Sequence, residues 1–405
     1  MEIELEIYPT IEEDQWNKLK ELAETNAKHW DDPFFMDVYA HADLKELRQV
    51  VAPFLENEKI NNIILLATGG SIQTMLTLQN FSKKKVYAIT SSRPYELNRV
   101  LHETSPEDSV VLPISRGGKT LDVNSTIHLF QEYPMIALSS RGPMNDVVKE
   151  LGAPIVEVPD LSGRFAASIC SVGLVPALLA EIEIEKFLTG LDKGYSLFKD
   201  LTNQSENYAF QYAIYLYERY QEGYTNIFSM PYSSWLEGAA GLFVQELSES
   251  SGKEGKGLLG TTQEAPLCQH SVLELLLGGK KNHTSPLLWT TTNEPNDISL
   301  ESNEERLQGQ SGLSVINYQA DATFEALLSQ GVPTANIKLK VSEEAFGQLV
   351  AWIQAAVYYF CLLLDVNWAS NPLVNTGKKI CNQALDQRLT AEERKNKRIQ
   401  SAKNF

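Results

Sequence analysis

Positive charge and cysteine are both scarce in this chain. Its 405 residues carry 35 Lys and Arg against 52 Asp and Glu, a formal charge of −17. Nucleic-acid binding leans on lysine and arginine at the phosphates, so this balance excludes an extended nucleic-acid partner. A bulk anionic membrane surface is excluded by the same repulsion. Any anionic ligand must find a local cluster of cations or backbone amides. The cysteines, Cys170, Cys268, Cys361 and Cys381, lie far apart and form no CxxC pair, which argues against a zinc ribbon or a redox dithiol. They read as free thiols of a reducing compartment. No apolar run, AAVYYFCLLLDV included, reaches the roughly 18–20 residues of a membrane span. The segment MEIELEIYPTIEEDQW lacks the basic-then-apolar pattern of a secretory signal. A cytoplasmic protein with no membrane partner is the expectation. Apolar residues make up 43%, enough to set aside a disordered chain.

What is present is alternation. From about residue 60, NIILLAT, VYAIT, SVVLPIS, MIALSS and PIVEVP read as strands, separated by helical segments such as PYELNRVLHET and PMNDVVKELG. Such alternation argues for a parallel sheet covered on both faces. A second alternating region runs from TNIFSMPYSS through PLLWTTT and LSVINY to NIKLKV. A helical stretch over roughly 203–223 separates the two regions, and an apolar helix over 344–364 closes the second. The expected architecture is α/β, with two halves, each built on its own parallel sheet, at 46–195 and 196–375. A helical N-terminal extension (1–45) and a C-terminal helical tail (376–405) flank them. The polar stretch TAEERKNKRIQSAKNF reads as a solvated helix or a docked, wrapping one.

Two strands run into glycine-marked loops. NIILLAT leads into Gly69, Gly70 and Ser71, then the helix SIQTMLTLQNF; SVVLPI leads into Ser115–Thr120 (SRGGKT), then a helix over LDVNSTIHLF. Ligands of open parallel sheets bind beyond the carboxyl ends of strands. A helix N-terminus there offers free N–H groups to a phosphate. The candidate ligand-binding positions are Gly70, Ser71, Ser115, Arg116, Gly117, Lys119 and Thr120. The spacing is neither GxGxxG nor GxxxxGKS, which sets aside a dinucleotide fold and a P-loop NTPase.

Four further residues stand out. In SSWLEGAAGLFVQELSESSGK, Ala240, Phe243 and Leu247 share one helix face, while Gln245 and Glu249 sit four apart on the other. Gly252 reads as the C-cap. Alone, such a polar pair fits the solvated side of a helix as well as a site. His270 opens the apolar helix of CQHSVLELLLGG and fits a cap or core edge equally well. Lys378 alone fits a surface lysine. Arg164, beside Ala166, Ala167 and Ser168, calls for an anionic partner, either a structural salt bridge or a ligand.

Taken in order, these segments resemble the phosphoglucose isomerase family. GGS resembles its first substrate loop, and SRGGKTLDV its S-K-T-x-T-T-x-E-T phosphate loop. SGRFAASICSVGL resembles G-G-R-[FY]-S-x-x-S-x-x-G-L, and QELSESSGK resembles Q-x-x-M-E-S-N-G-K. CQHSVLELLLGG resembles G-Q-H-S-F-x-Q-L-x-H-Q-G, and VNWASNPLVNTGKK resembles V-N-P-F-D-Q-P-G-V-E-x-G-K. These six collinear matches span about 67–380.

The resemblance implies two doubly wound parallel-sheet sugar-isomerase (SIS) domains, matching the two halves, and a glucose 6-phosphate/fructose 6-phosphate isomerase with no metal or organic cofactor. It puts Glu249 on the base of a cis-enediol mechanism and Arg164 on the arginine that steadies the enediolate. His270 and Lys378 fall on the ring-opening residues. Ser71, Ser115, Arg116 and Thr120 fall on phosphate and sugar contacts, and Gln245 and Asn371 on two glutamines that line the site. The family's histidine comes from a neighbouring subunit, so a homodimer with His270 acting across the interface is implied. The departures are Gly117 and Gly118 in place of hydroxyl residues, APLCQH before the histidine, Trp368–Asn371 in place of P-F-D-Q, and Asn375 in place of a glutamate. They keep open a related phosphosugar or other anionic sugar as substrate, and a non-catalytic phosphosugar-binding module.

Overall fold

The computed structural model describes residues 2–41 and 43–402. Its ten strands are β1 (Ile3–Tyr8), β2 (Asn62–Leu66), β3 (Lys85–Ile89), β4 (Ser109–Pro113), β5 (Ala137–Leu138), β6 (Ile155–Val156), β7 (Asn226–Pro231), β8 (Leu259–Thr262), β9 (Thr284–Asn293) and β10 (Thr334–Lys340).

In the first half the parallel order is β3-β2-β4. Parallel bridges Val111↔Met135 and Ile114↔Leu138 carry β4 on to the β5-β6 pair. In the second half the order is β8-β7-β9-β10, all parallel. The two halves thus share one winding plan. The first strand of each, β2 or β7, has the second strand on one side and the third on the other. That reversal is the topological switch point at which doubly wound sheets open a crevice. The loops after β2 and β4, singled out by their glycines, flank the switch of the first sheet. β2 is IILL-rich and buried from Ile63 onward, as a strand covered on both faces must be.

The central helix is Glu343–Leu364, buried from Ala345 onward. It packs on the helices Ile184–Phe198, Tyr208–Gln221 and Glu237–Ser251. Trp352 ties them together. It tilts onto Tyr212 at 5.0 Å, stacks on Phe243 at 6.3 Å, meets the edge of Trp289 at 5.8 Å and donates Nε1–H to the Tyr208 carbonyl. By length and composition this helix would cross a membrane, but its whole apolar window is buried inside the protein.

Several expectations change. LSVINY is not a strand but the start of the helix Gly312–Ser329. Ser311 caps it by accepting from Ser314 N–H, and Ala320, Thr323, Phe324 and Leu327 form its buried stripe. The helical spacing thus overrides the local β-branched signal. LDVNSTIHLF is broken into the helix Leu121–Asn124 and a 3-10 turn Ile127–Phe130. Thr126 Oγ1 donates to the Asp122 carbonyl, and Asn124 Nδ2 donates to the carbonyls of Thr120 and Gly118. Short polar side chains of this kind compete with helical backbone bonding. The segment around Arg164 likewise splits into Gly163–Ala166 and Ser171–Leu179. β8 has only four residues and carries no strand-like run that would announce it. The N-terminal segment is not wholly helical: β1 adds antiparallel to β10 and covers that edge of the second sheet. The cysteines are free, and all but Cys381 are buried.

The chain divides into two compact units, 1–368 and 369–405. The first contains both sheets. The second consists of the helices Val374–Asp386 and Ala391–Ala402, neither with a buried residue.

Candidate active site

The first glycine loop and the Glu237–Ser251 helix meet at one arginine. A Cβ at Gly70 would fall 2.7 Å from the Arg164 Cα, and one at Gly69 would fall 3.5 Å from Gln245 Nε2. Glycine is therefore what lets the loop after β2 close on these residues. The Arg164 side chain is 3% exposed. Its Nη1 donates to Glu249 Oε1 at 3.2 Å, Nε to Ser250 Oγ at 2.9 Å and Nη2 to the Trp368 carbonyl at 2.6 Å. A guanidinium this dry requires such partners, because its desolvation cost is otherwise uncompensated. The expected anionic partner of Arg164 is thus Glu249, whose side chain is 19% exposed. The other carboxylate oxygen of Glu249 accepts from Gln245 Nε2 at 3.2 Å. The polar pair on the helix is partly buried against the loop rather than fully solvated. Where the helix ends, Lys253 Nζ donates to the Glu249 carbonyl at 3.3 Å and to that of Ser250. Burial pulls its ammonium pKa down to about 8.

The second loop is built on internal hydrogen bonds. Ser115 Oγ and Thr120 Oγ1 are 2.8 Å apart, and Thr120 N–H points to Ser115 Oγ at 3.3 Å. Gly118 adopts φ +60°, and a Cβ there would sit 2.1 Å from the Arg141 carbonyl, so no other residue fits without rearrangement. Ser71 Oγ donates to the Thr68 carbonyl in the first loop. Arg116 pairs with Asp160 at 3.3 Å and donates to the Leu161 carbonyl. Arg141 approaches the same Asp160 at 3.9 Å. Lys119 is exposed, and Gly117 has open space where a Cβ would stand. Sequence reading missed Arg141 and Asp160, which lie outside the glycine loops and are brought to the second one by the chain after β5.

His270 is exposed at the end of the 3-10 turn Leu267–His270, beyond the carboxyl end of β8. Its neighbour Gln269 anchors that turn by donating Nε2–H to Tyr232 Oη and Thr323 Oγ1, each at 2.6 Å. Asn371 and the exposed Lys378 belong to the second unit, Lys378 on the helix Val374–Asp386. The structure therefore gathers Gly70, Arg164, Gln245 and Glu249 into one cluster and Ser115 with Thr120 into the facing lip of the first sheet's switch point. Among the described residues no group of three or more His, Cys, Asp or Glu has the geometry to hold a metal ion.

A second acid was also missed. Glu246, on the buried side of the same helix, is fully buried, and no sequence signal separates it from the solvated glutamates around it.

No protein-family profile matches the chain. Among curated proteins, it is 25% identical over 391 residues to the glucose-6-phosphate isomerase of Rubrobacter xylanophilus, covering 86% of this chain and 88% of that one. It is 24% identical over 358 residues to the glucose-6-phosphate isomerase of Campylobacter jejuni, covering 82% and 87%. Among solved structures, a glucose-6-phosphate isomerase from Chlamydia trachomatis superposes with a TM-score of 0.80 at 19% identity, covering 99% of this chain and 92% of that one. The fold is that of the sugar-isomerase class, two doubly wound halves, each with its own switch point, the first flanked by the two glycine loops. Within that class, the chain is similar to glucose-6-phosphate isomerases over more than four-fifths of its length.

Proposed function

We propose that this protein is an aldose–ketose isomerase that interconverts glucose 6-phosphate and fructose 6-phosphate. The observation that carries this reading is the Arg164–Glu249 pair, held at 3.2 Å beside the switch-point loop. A proton α to a carbonyl is removed by a positioned carboxylate. Glu249 takes the C2 proton of the open-chain aldose and returns it to C1, passing through a cis-enediol. The negative charge that develops on the sugar oxygen is met by Arg164, a cation already desolvated and fixed by three hydrogen bonds. Gln245 orients the carboxylate. His270 and Lys378 open the sugar ring, and Asn371 lines the same site. Ser71, Ser115, Thr120, the backbone at Gly70 and Gly117, and the cations Arg116 and Lys119 hold the phosphate. The reaction needs no metal or organic cofactor, the enzyme works as a cytoplasmic homodimer, and His270 reaches the site of the partner subunit. The halves 46–195 and 196–375 are its two sugar-isomerase domains.

One observation favours a second reading, the same chemistry on a different anionic sugar. Where hydroxyl residues are usual in the family, this loop has Gly117 and Gly118, flanked by Arg116 and Arg141 sharing Asp160. A coupled isomerase assay over a panel of sugar phosphates and sulfonates decides between the two. Glucose 6-phosphate is expected to be the best substrate without added metal, and Glu249→Gln to lower kcat by about a thousandfold. Another sugar turned over much faster selects the second reading. Full activity in Glu249→Gln removes Glu249 from its role. Sugar-phosphate binding without exchange of solvent deuterium into C1 or C2 makes the protein a binding module.

A further inference from the structure

Behind Arg164 lies a closed polar network that the proposed chemistry does not use. Glu246, Gln354 and Tyr195 are all fully buried. Gln354 Nε2 donates to Glu246 Oε1 at 3.0 Å and approaches the backbone carbonyls of Arg164 and Phe165 at 3.4 Å. Gln354 Oε1 accepts from Ser168 Oγ at 3.2 Å and from Tyr195 Oη. One amide thus joins the second acid to the short helix that carries Arg164. Glu246 Oε2 is buried with no hydrogen-bond partner among the described residues. A carboxylate so placed leaves a charge-bearing oxygen unsolvated, whereas a carboxylic acid leaves only a weak polar group.

The ionisable groups facing Glu246 come from four elements. Arg164 lies on Gly163–Ala166, Glu249 one turn along its own helix, Tyr195 on Ile184–Phe198 and Cys361 on Glu343–Leu364. Burial raises both Tyr195 and Cys361, Cys361 to about 12, so both stay neutral near neutral pH. Burial most strongly, and Glu249, oppose ionised Glu246, while the Gln354 hydrogen bond and Arg164 favour it.

We infer that Glu246 is a proton-holding positioning residue of the site: it accepts from Gln354, which ties it to the Arg164 backbone; neutral, it leaves Arg164 to Glu249, and ionised, it competes with Glu249 for Arg164. Burial, the largest cause, pushes its pKa up to about 7, which puts the change of state in the working range of the enzyme. The positioning part rests on the isomerase reading; the proton-holding part does not.

Two measurements on full-length protein separate them. The first compares the urea unfolding midpoints of wild type and Glu246→Gln as a function of pH. A folded-state pKa raised from 4.5 to about 7 means that the native state holds a proton the unfolded chain has lost. Wild-type stability contributed by this group is therefore complete below about pH 4.5 and lost as pH rises through about 7. The midpoint of Glu246→Gln is expected to gain on wild type across that window and then hold a constant lead. A gap independent of pH overturns proton holding.

The second compares pH profiles of kcat/KM. Wild type is expected to lose about three- to tenfold between about pH 6 and about pH 8, and Glu246→Gln less than about twofold. Coincident profiles overturn the positioning role. Glu246→Met, similar in length and not ionisable, gives the same two readouts if Glu246→Gln does not fold. Absence of turnover on every phosphosugar offered overturns the isomerase reading and the positioning role with it, while the stability gap still decides whether Glu246 holds a proton.

Discussion

Gly70 and Arg164 approach so closely that the smallest added side chain collides with backbone. A methyl group at Gly70 would meet the Arg164 Cα, Cβ and N, all within 2.9 Å. Backbone at this distance yields only by moving, and what moves is the residue that meets Glu249. Gly70→Ala is therefore expected to lower kcat/KM by about a hundredfold, since small misplacements at a reacting centre are costly, and to lower stability by about 1–3 kcal/mol. Steady-state kinetics together with urea denaturation check both. Wild-type turnover in a folded Gly70→Ala protein would mean that the loop does not set the arginine. At this scale the sequence was informative where chemistry has a spacing. Gln245 and Glu249, four apart, do share a face, and their side chains are hydrogen-bonded to each other. It was uninformative where burial decides. Glu246 and Glu249 are both glutamates on one helix, and only tertiary packing makes one of them fully buried and the other partly accessible. Arg141 and Asp160 escaped notice because their approach to the second loop depends on how the chain returns after β5.

At the scale of elements, Trp352 is where the central helix is secured. Its ring touches residues of Tyr208–Gln221, Glu237–Ser251 and β9, and its indole N–H is bonded. Trp352→Ala is expected to destabilise the protein by about 3–5 kcal/mol through the cavity and the lost aromatic contacts. Trp352→Phe, which keeps most of the volume, should cost distinctly less. Chemical denaturation of the two variants tests the order, and equal losses would argue against packing as the cause. Strands buried on both faces, such as β2 and β4, were legible as continuous apolar runs. β8 was not, because four residues with a glycine among them carry no pattern. LSVINY misled because its β-branched residues are read locally, whereas the helix it belongs to is set by a stripe that extends to Leu327.

For the whole molecule, alternation made two α/β halves legible, whereas the order of strands within each sheet, which places β2 and β7 between their neighbours, is a tertiary property that alternation does not carry. The assembly is open to a direct test at this scale. If His270 serves the partner's site, a mixed dimer of Glu249→Gln and His270→Ala chains has one site with both defects and one with none. Mixing the two variants under subunit exchange should restore about a quarter of wild-type activity from two nearly inactive parents. Exchange without recovery, with hybrids verified by differently tagged chains, would put His270 in its own subunit's site.

The pairing of β1 with β10 joins distant parts of the chain: Ile3 faces Leu339, and Glu2 N–H reaches Gln348, 346 residues on. During synthesis β1 is made long before its partner, and its amphipathic IELEIY sequence must wait without a sheet to join. Closing so long a loop is entropically slow. The edge of β10 is therefore among the last surfaces to be covered, and a chain cut or fused near Ile3 would leave an open strand edge, the kind of surface through which one molecule recruits another.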